Sequence, residues 1–546
     1  MEVVLEGSPE DEGRHKYEVC LEMGGYEFTI YDSYGDGINS PGYYNITMDG
    51  MVVALGGEFE FNQTIPFSLP IHSLHPSSSS SPSQLASLLP SLQPSISSPP
   101  SQIPSLHPSF QPSTSSSPSQ SLRPSIQPST SSAPSTYWSS LNWKQFGLSI
   151  PGEEVGDWFG RSLDISKDGL TLAIGAPVQC QFNRPGYVKV YRREYEGSTW
   201  KLGDTIIAEE SCDEFGKSVS LSGDGKSLAI GAHQYGRNAL GYVKVYSWDE
   251  AALNYTQIGQ SIIADVASDL FGHYVSLSVD GKTLAIGAPH NDARRKDSGQ
   301  VKVYGWDEAA LDYKQLGQSI LGNGLHDRIG WSLSLSFDGM TLAVGSYNSN
   351  YVNVYGWDGD GSSWKALGQP IIGKAGYSTF FGLSVTLSGD GKIVAIGDPS
   401  NNANGETSGE VQVYGWDEAA LNYKQLGQSI SGEPSDKVGE SVALTGDGKT
   451  LAIGAMGNSD NGSKSGQVKV YGWDEDALNY KQLGQAINGE AAGDQLGRSV
   501  SLSNDGKTLA IGTGRRYPHS PKGYVNVFNI DRIMSPPTNS TSSSSV

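Results

Sequence analysis

The chain has little of what metal, redox or nucleic-acid chemistry requires. Its 546 residues include three cysteines, Cys20, Cys180 and Cys212. Three cysteines without a paired spacing make no framework, so disulfides are not expected to hold this fold together. Charged residues amount to only 17%, and 37 Lys+Arg stand against 58 Asp+Glu, a formal net charge of −21. Nucleic acid and anionic membranes need basic patches, so neither is expected as a partner. No apolar run approaches the roughly 20 residues of a membrane span, and none is expected. The nine histidines form no HExxH, HxH or Cys/His cluster, and no Gly-x-Ser-x-Gly elbow occurs. Met1-Glu-Val-Val-Leu-Glu6 lacks a basic n-region and an apolar h-region, so secretion is expected only if a signal peptide precedes this start. What the chain does have is 68 Gly, 27 Tyr and 11 Trp, a balance that favours short strands and tight turns over amphipathic helices.

Composition divides the chain into four. Between Ile71 and Thr136 it falls to Ser, Pro, Gln, Leu and Ile, with Arg123 the single charged residue and Pro-Ser-x-x-Pro-Ser recurring. Proline fixes φ and removes donors while serine adds no burial, so residues 71–137 are expected to be a disordered spacer, O-glycosylated or bare. Residues 533–546 read as a disordered Ser-rich tail. Residues 1–70 read as a small antiparallel β module, with Tyr26–Tyr31 alternating and Tyr44–Met48 running through Asp49-Gly50 into Met51–Leu55.

Residues 138–532 are a repeat. Asp-Gly recurs at Asp168, Asp224, Asp280, Asp338, Asp390, Asp447 and Asp505, at spacings of 52 to 58 residues. Each pair joins two short strand-like stretches, as in Ser218–Ser222 and Leu228–Ala232, and Asp-Gly between alternating apolar residues is a hairpin signal. A third strand follows as Val-x-Val-Tyr and a fourth as aromatic-Lys-Gln-Leu-Gly. Four strands in each of seven units predict an all-β, seven-bladed β-propeller. The last unit stops at Val525–Phe528 without a fourth strand, and a spare one, Trp143-Lys-Gln-Phe-Gly147, precedes the first. Pairing the two would close the ring and remove the open edges.

An apolar-Gly pair starts each first strand (Phe159-Gly160, Phe215-Gly216, Phe271-Gly272, Phe381-Gly382), and Gly-Ala-Pro follows the second at Gly175–Pro177 and Gly287–Pro289. This pairing resembles the FG-GAP repeat of the integrin α-subunit propeller. The fuller pattern is similar to repeats in secreted proteins of diatoms and marine bacteria, and Phe28–Gly37 resembles a module found in diatom extracellular proteins. The resemblance implies an extracellular recognition or adhesion role, not catalysis. It also raises calcium, yet hairpins such as Leu221–Leu228 offer one carboxylate where calcium takes about six to eight oxygens, so none is expected in the blades. In the small module, Asp32 and Asp36 form either a calcium site or carboxylate caps on a glycine turn. No other cofactor is expected.

Asp-Gly-Lys-Ser/Thr, as at Asp224–Ser227, lacks the earlier glycine of a phosphate loop and reads as a turn. Asp157, Asp213, Asp269, Asp327, Asp436 and Asp494 recur three residues before the strand glycine, and turn capping is preferred over a cation-binding ring. The repeated Trp-Asp-Glu-Ala-Ala-Leu-Asn-Tyr from Trp248 reads as scaffold. Binding residues are expected in the variable loops that share one face: Arg294, Arg295 and Lys296, Arg515, Arg516 and Tyr517, with Trp158 and Trp331 as stacking surfaces. The expected ligand is an extracellular glycan or protein. The alternatives are a propeller glycoside hydrolase or polysaccharide lyase, and a purely structural wall component. Sequons at Asn45, Asn62, Asn254, Asn461 and Asn539 fit a secreted, cell-surface or wall location.

Overall fold

The structure, a computed structural model, describes six strands before residue 69, and residues 141–532 apart from 179, 234–239, 347, 375–379 and 515–521. The chain forms two compact units, Met1–Arg123 and Pro124–Val546. In the first, three antiparallel pairs are described: Glu2–Leu5 with His15–Glu18, Gly25–Tyr31 with Asn62–Ser68, and Tyr44–Met48 with Met51–Gly56. Asp32, Asp36, the Ser/Pro segment and the tail lie outside the described residues.

The second unit is a seven-bladed propeller of four-stranded antiparallel blades. Blade two is representative: Ser218–Leu221 lies innermost, then Ser227–Ala232, Tyr242–Asp249 and Asn254–Ile263 outward. The Asp-Gly turn joining its first two strands is self-capped. Asp224 Oδ1 accepts from Ser222 Oγ (2.7 Å) and the Lys226 amide (2.9 Å), and Gly225 takes φ +64°. Trp248 and Tyr255 face each other across the third-to-fourth strand pair with rings 5.3 Å apart, near perpendicular. In blade three, the matching Tyr313 hydroxyl donates to the Gly281 carbonyl at 2.5 Å and ties the outer turn to the inner one.

Ring closure uses the spare strand. Leu141–Gln145 pairs with Tyr524–Arg532 as the fourth strand of blade seven, with Gln145 opposite Phe528 and Trp143 opposite Ile530. Trp143 is buried in a cluster with Phe528, Leu483 and Ile487.

The paired glycines of the repeat have a direct physical cause. The Gly231 Cα faces the Gly272 carbonyl of the next blade so closely that a Cβ would lie 2.1 Å from that oxygen. The same contact, at 2.0–2.2 Å, recurs at all seven junctions, the last being Gly512 against Gly160. At six junctions a serine completes the lock: Ser218 Oγ donates to the Gly272 carbonyl (3.0 Å), and Ser499 Oγ to that of Gly160 (2.6 Å). The repeat motif is therefore an interblade joint. Its phenylalanines, Phe159, Phe215, Phe271 and Phe381, are fully buried beside it.

One expectation is corrected. Cys180 and Cys212 form a disulfide. It joins blade one's second-to-third connection to the segment entering blade two, two loops brought together by topology and not by local spacing. Replacing Cys212 with Ser is expected to lower stability by about 3–4 kcal/mol, the loop-closure entropy for a separation of 32 residues. Thermal unfolding with and without reductant measures this, and identical midpoints would refute it.

Candidate ligand site at the channel mouth

The glycine joint dictates what lines the axis. In each blade one residue stands between the joint glycine and the position that carries the locking serine, held at the channel mouth by both neighbours. Around the ring these are Arg161, Lys217, His273, Trp331, Leu383, Glu440 and Arg498. All seven line one cavity of about 520 Å³. Second-to-third strand connections add His233, His290 and Met456, and Lys437 enters from a fourth-to-first connection. The cavity thus opens on the face that carries the variable loops.

Its electrostatics oppose those of the whole chain. Four basic side chains, Arg161, Lys217, Lys437 and Arg498, line it against one carboxylate, Glu440, which Arg498 holds in an ion pair. Behind the wall Glu214 Oε2 lies 3.1 Å from His233 Nε2 and 3.5 Å from Lys217 Nζ. Burial, reinforced by Arg161 and Arg498 and opposed by Glu214, pushes Lys217 well below the usual lysine range. Burial first, then Lys217 and neighbouring cations, holds His233 and His273 well below the usual histidine range. The His233 and His273 rings stack at 5.4 Å, and His273 lies 4.3 Å from Trp331.

The opposite end of the channel is ringed by the Asp-Gly turns. The seven Asp-Gly turns are linked head to tail by hydrogen bonds, from Asp168 N to the Gly223 carbonyl (3.2 Å) round to Asn504 N on the Lys167 carbonyl (2.9 Å). One link uses a side chain, the Gly446 amide donating to Asn504 Oδ1 at 3.0 Å. Phe337 crosses this ring from blade four. Its ring lies where Cβ atoms on Gly389 and Gly446 would fall, and Lys167 Nζ stands 5.7 Å from its centroid.

Residues 431–471, which span the first three strands of blade six, match the FG-GAP repeat family. The same joint recurs in the other six blades. The chain is an FG-GAP repeat β-propeller. No curated protein matches it in sequence. Among solved structures, the FG-GAP propeller is similar to the periplasmic gluconolactonase PpgL of Pseudomonas aeruginosa, at 17% identity and TM-score 0.43, over 64% of this chain and 96% of that one. It is also similar to U3-55K, at 14% and 0.43 over 70% and 98%, and to the Dos1 propeller, at 17% and 0.40 over 68% and 78%. Likeness at this level carries no argument about activity.

The residues expected to bind ligand are dispersed in the FG-GAP propeller. Trp331 lines the mouth. Trp158 is half-buried beside it, its ring 4.7 Å beneath the Arg161 guanidinium. Arg294, Arg295 and Lys296 are exposed on blade three's second-to-third connection and do not line the cavity; Arg294 donates to Asn323 Oδ1 at 2.5 Å. Arg515, Arg516 and Tyr517 lie outside the described residues. The recurring aspartates are caps: Asp157 accepts from the Glu153 amide (2.9 Å), the Phe159 amide (3.0 Å) and the Tyr187 hydroxyl (2.6 Å). Asp494 likewise accepts from the Ala491 amide (2.8 Å) and the Tyr524 hydroxyl (2.6 Å). Among the described residues, no three His, Cys, Asp or Glu side chains gather to hold a metal ion. No helix among them is long and apolar enough to cross a membrane. Of the sequons, Asn254 and Asn461 are exposed, Asn45 and Asn62 lie in strands of the first unit, and Asn539 is outside the described residues. Sequence reasoning missed six of the seven mouth residues. Their signal was the position of widest chemical variation, after the glycine kept in all seven apolar-Gly-x-Ser/Tyr-Val/Leu stretches.

Proposed function

We propose that this FG-GAP propeller is an extracellular recognition protein whose loop face binds a glycan or protein ligand, with the channel mouth as the seat. One observation carries the reading. The seven blades keep the joint glycines and, in six, the locking serine, yet differ in the residue between, which faces a common cavity. Residues that differ on a repeated frame are where specificity resides. The Cys180–Cys212 bond supports an oxidising, extracellular compartment. Binding is favoured over turnover because a glycosidase generally works with a pair of carboxylates. Here the cavity's one carboxylate, Glu440, is already neutralised by Arg498.

The full chain, passed over a panel of immobilised polysaccharides with reducing ends assayed in parallel, is expected to be retained selectively without releasing new ends. New ends would make it an enzyme and end the recognition reading. Retention abolished by Arg294→Ala/Arg295→Ala, and kept by Trp331→Ala, would move the seat from the mouth to the exposed rim.

A further inference from the structure

We propose that the mouth accepts the oxyanion of a terminal acidic sugar, a carboxylate or sulfate carried on a pyranose ring. This rests on the recognition reading above and adds the ligand's charge and the manner of its entry.

Three features converge. Arg161 and Lys217 come from the adjacent blades one and two, and Arg498, which pairs with Glu440, stands next to them from blade seven, so basic groups are gathered on one side of the cavity. Guanidinium groups suit planar or tetrahedral oxyanions because they present forked donors. Lys217 is an amine buried beside two guanidinium groups with one carboxylate behind it, an arrangement in which an incoming anion favours its charged form. On the wall beside it, Trp331 and His273 provide aromatic surface against which a sugar ring can stack. Finally, Phe337 reaches across the far end of the channel toward Gly389, Gly446 and Lys167, which favours entry of a chain end or a branch at the mouth over threading of a polymer.

The same geometry couples binding to protons. Lys217 is faced by Arg161, Arg498, Glu214 and His233. His233 and His273 are faced by Lys217, Arg161, His290 and Glu214, with Lys437 and Glu440 across the cavity. Burial first, and then the neighbouring cations, disfavour the protonated form of these three groups, and a bound anion offsets the second of these. Protons are then taken up on binding, and affinity rises as the pH falls.

Isothermal titration of the full chain with trigalacturonate, galactose 6-sulfate, inorganic sulfate and neutral maltotriose tests this at pH 7.5 and 5.5. At least one acidic sugar is expected to bind, more tightly at pH 5.5, and to lose at least tenfold in affinity with Arg161→Gln and with Lys217→Met. Lys449→Ala, on the hairpin face, should leave it unchanged. Trp331→Ala should weaken the acidic sugar and leave inorganic sulfate unaffected. Which acidic sugar binds identifies the oxyanion as carboxylate or sulfate. Equal binding of maltotriose, lost with Trp331→Ala, would overturn the anion site while sparing the recognition reading. Failure of both acidic sugars while the polysaccharide panel still retains the chain would do the same. Failure of the sugars and the panel together would overturn both. Circular dichroism of the two charge variants separates a lost site from a lost fold, and either variant alone suffices for the test.

Discussion

A chain beginning at residue 147 is expected not to fold to a stable propeller, whereas one beginning at residue 138 should melt as the full chain's propeller does. The difference is one short strand, Leu141–Gln145. Without it, only Tyr524 and Val525 keep partners, in Ile150–Pro151, and Phe528–Arg532 becomes an open edge, which invites pairing with other chains. Trp143 leaves with it, and that ring is 7% exposed and packed on residues of both blade six and blade seven. Trp143→Ala alone should cost about 3–5 kcal/mol, the usual range for emptying a large aromatic site. Thermal unfolding and light scattering of the two truncations and the point variant provide the check. Equal midpoints for the chains starting at 138 and 147 would show that the seventh blade does not need its borrowed strand.

Gly231→Ala should be nearly as damaging, although it adds one methyl group. Its Cβ would lie 2.1 Å from the Gly272 carbonyl oxygen and 2.5 Å from Ser218 Oγ. The first of these is backbone held by the next blade, so local relaxation has nowhere to go. Overpacking costs typically 1–3 kcal/mol where side chains can yield; here about 3 kcal/mol or more is expected. Gly359→Ala is the control, since a Cβ there meets nothing within 4 Å. Denaturant unfolding of both variants decides it. A Gly231→Ala midpoint within error of Gly359→Ala would mean that the joint is looser than described.

The propeller was legible because its information is repeated seven times. Asp224 and its six counterparts mark turns by their own chemistry, and the orphan strand at Trp143 gave away the closure. The cavity was harder to see for the converse reason. Lys217, His273, Trp331, Leu383 and Glu440 share neither type nor charge, and only the glycine before each of them relates them. Arg294, Arg295 and Lys296 stand out in an acidic sequence because solvent tolerates them there. The Cys180–Cys212 bond was illegible for a third reason. It depends on two loops meeting across a blade boundary, which no spacing records.

The closure of blade seven has a mechanical consequence. Leu141 and Arg532 are partners at the same end of one ladder, the end that bears the Asp-Gly turns. The chain thus enters and leaves the propeller at neighbouring points, on the side away from the cavity. Tension transmitted along the chain would not shear this ladder as a whole but peel it one residue pair at a time, beginning with Leu141 and Arg532. Peeling concentrates load on single hydrogen bonds, so blade seven is where a pulled propeller opens first, while blades two to five stay locked by their glycine joints.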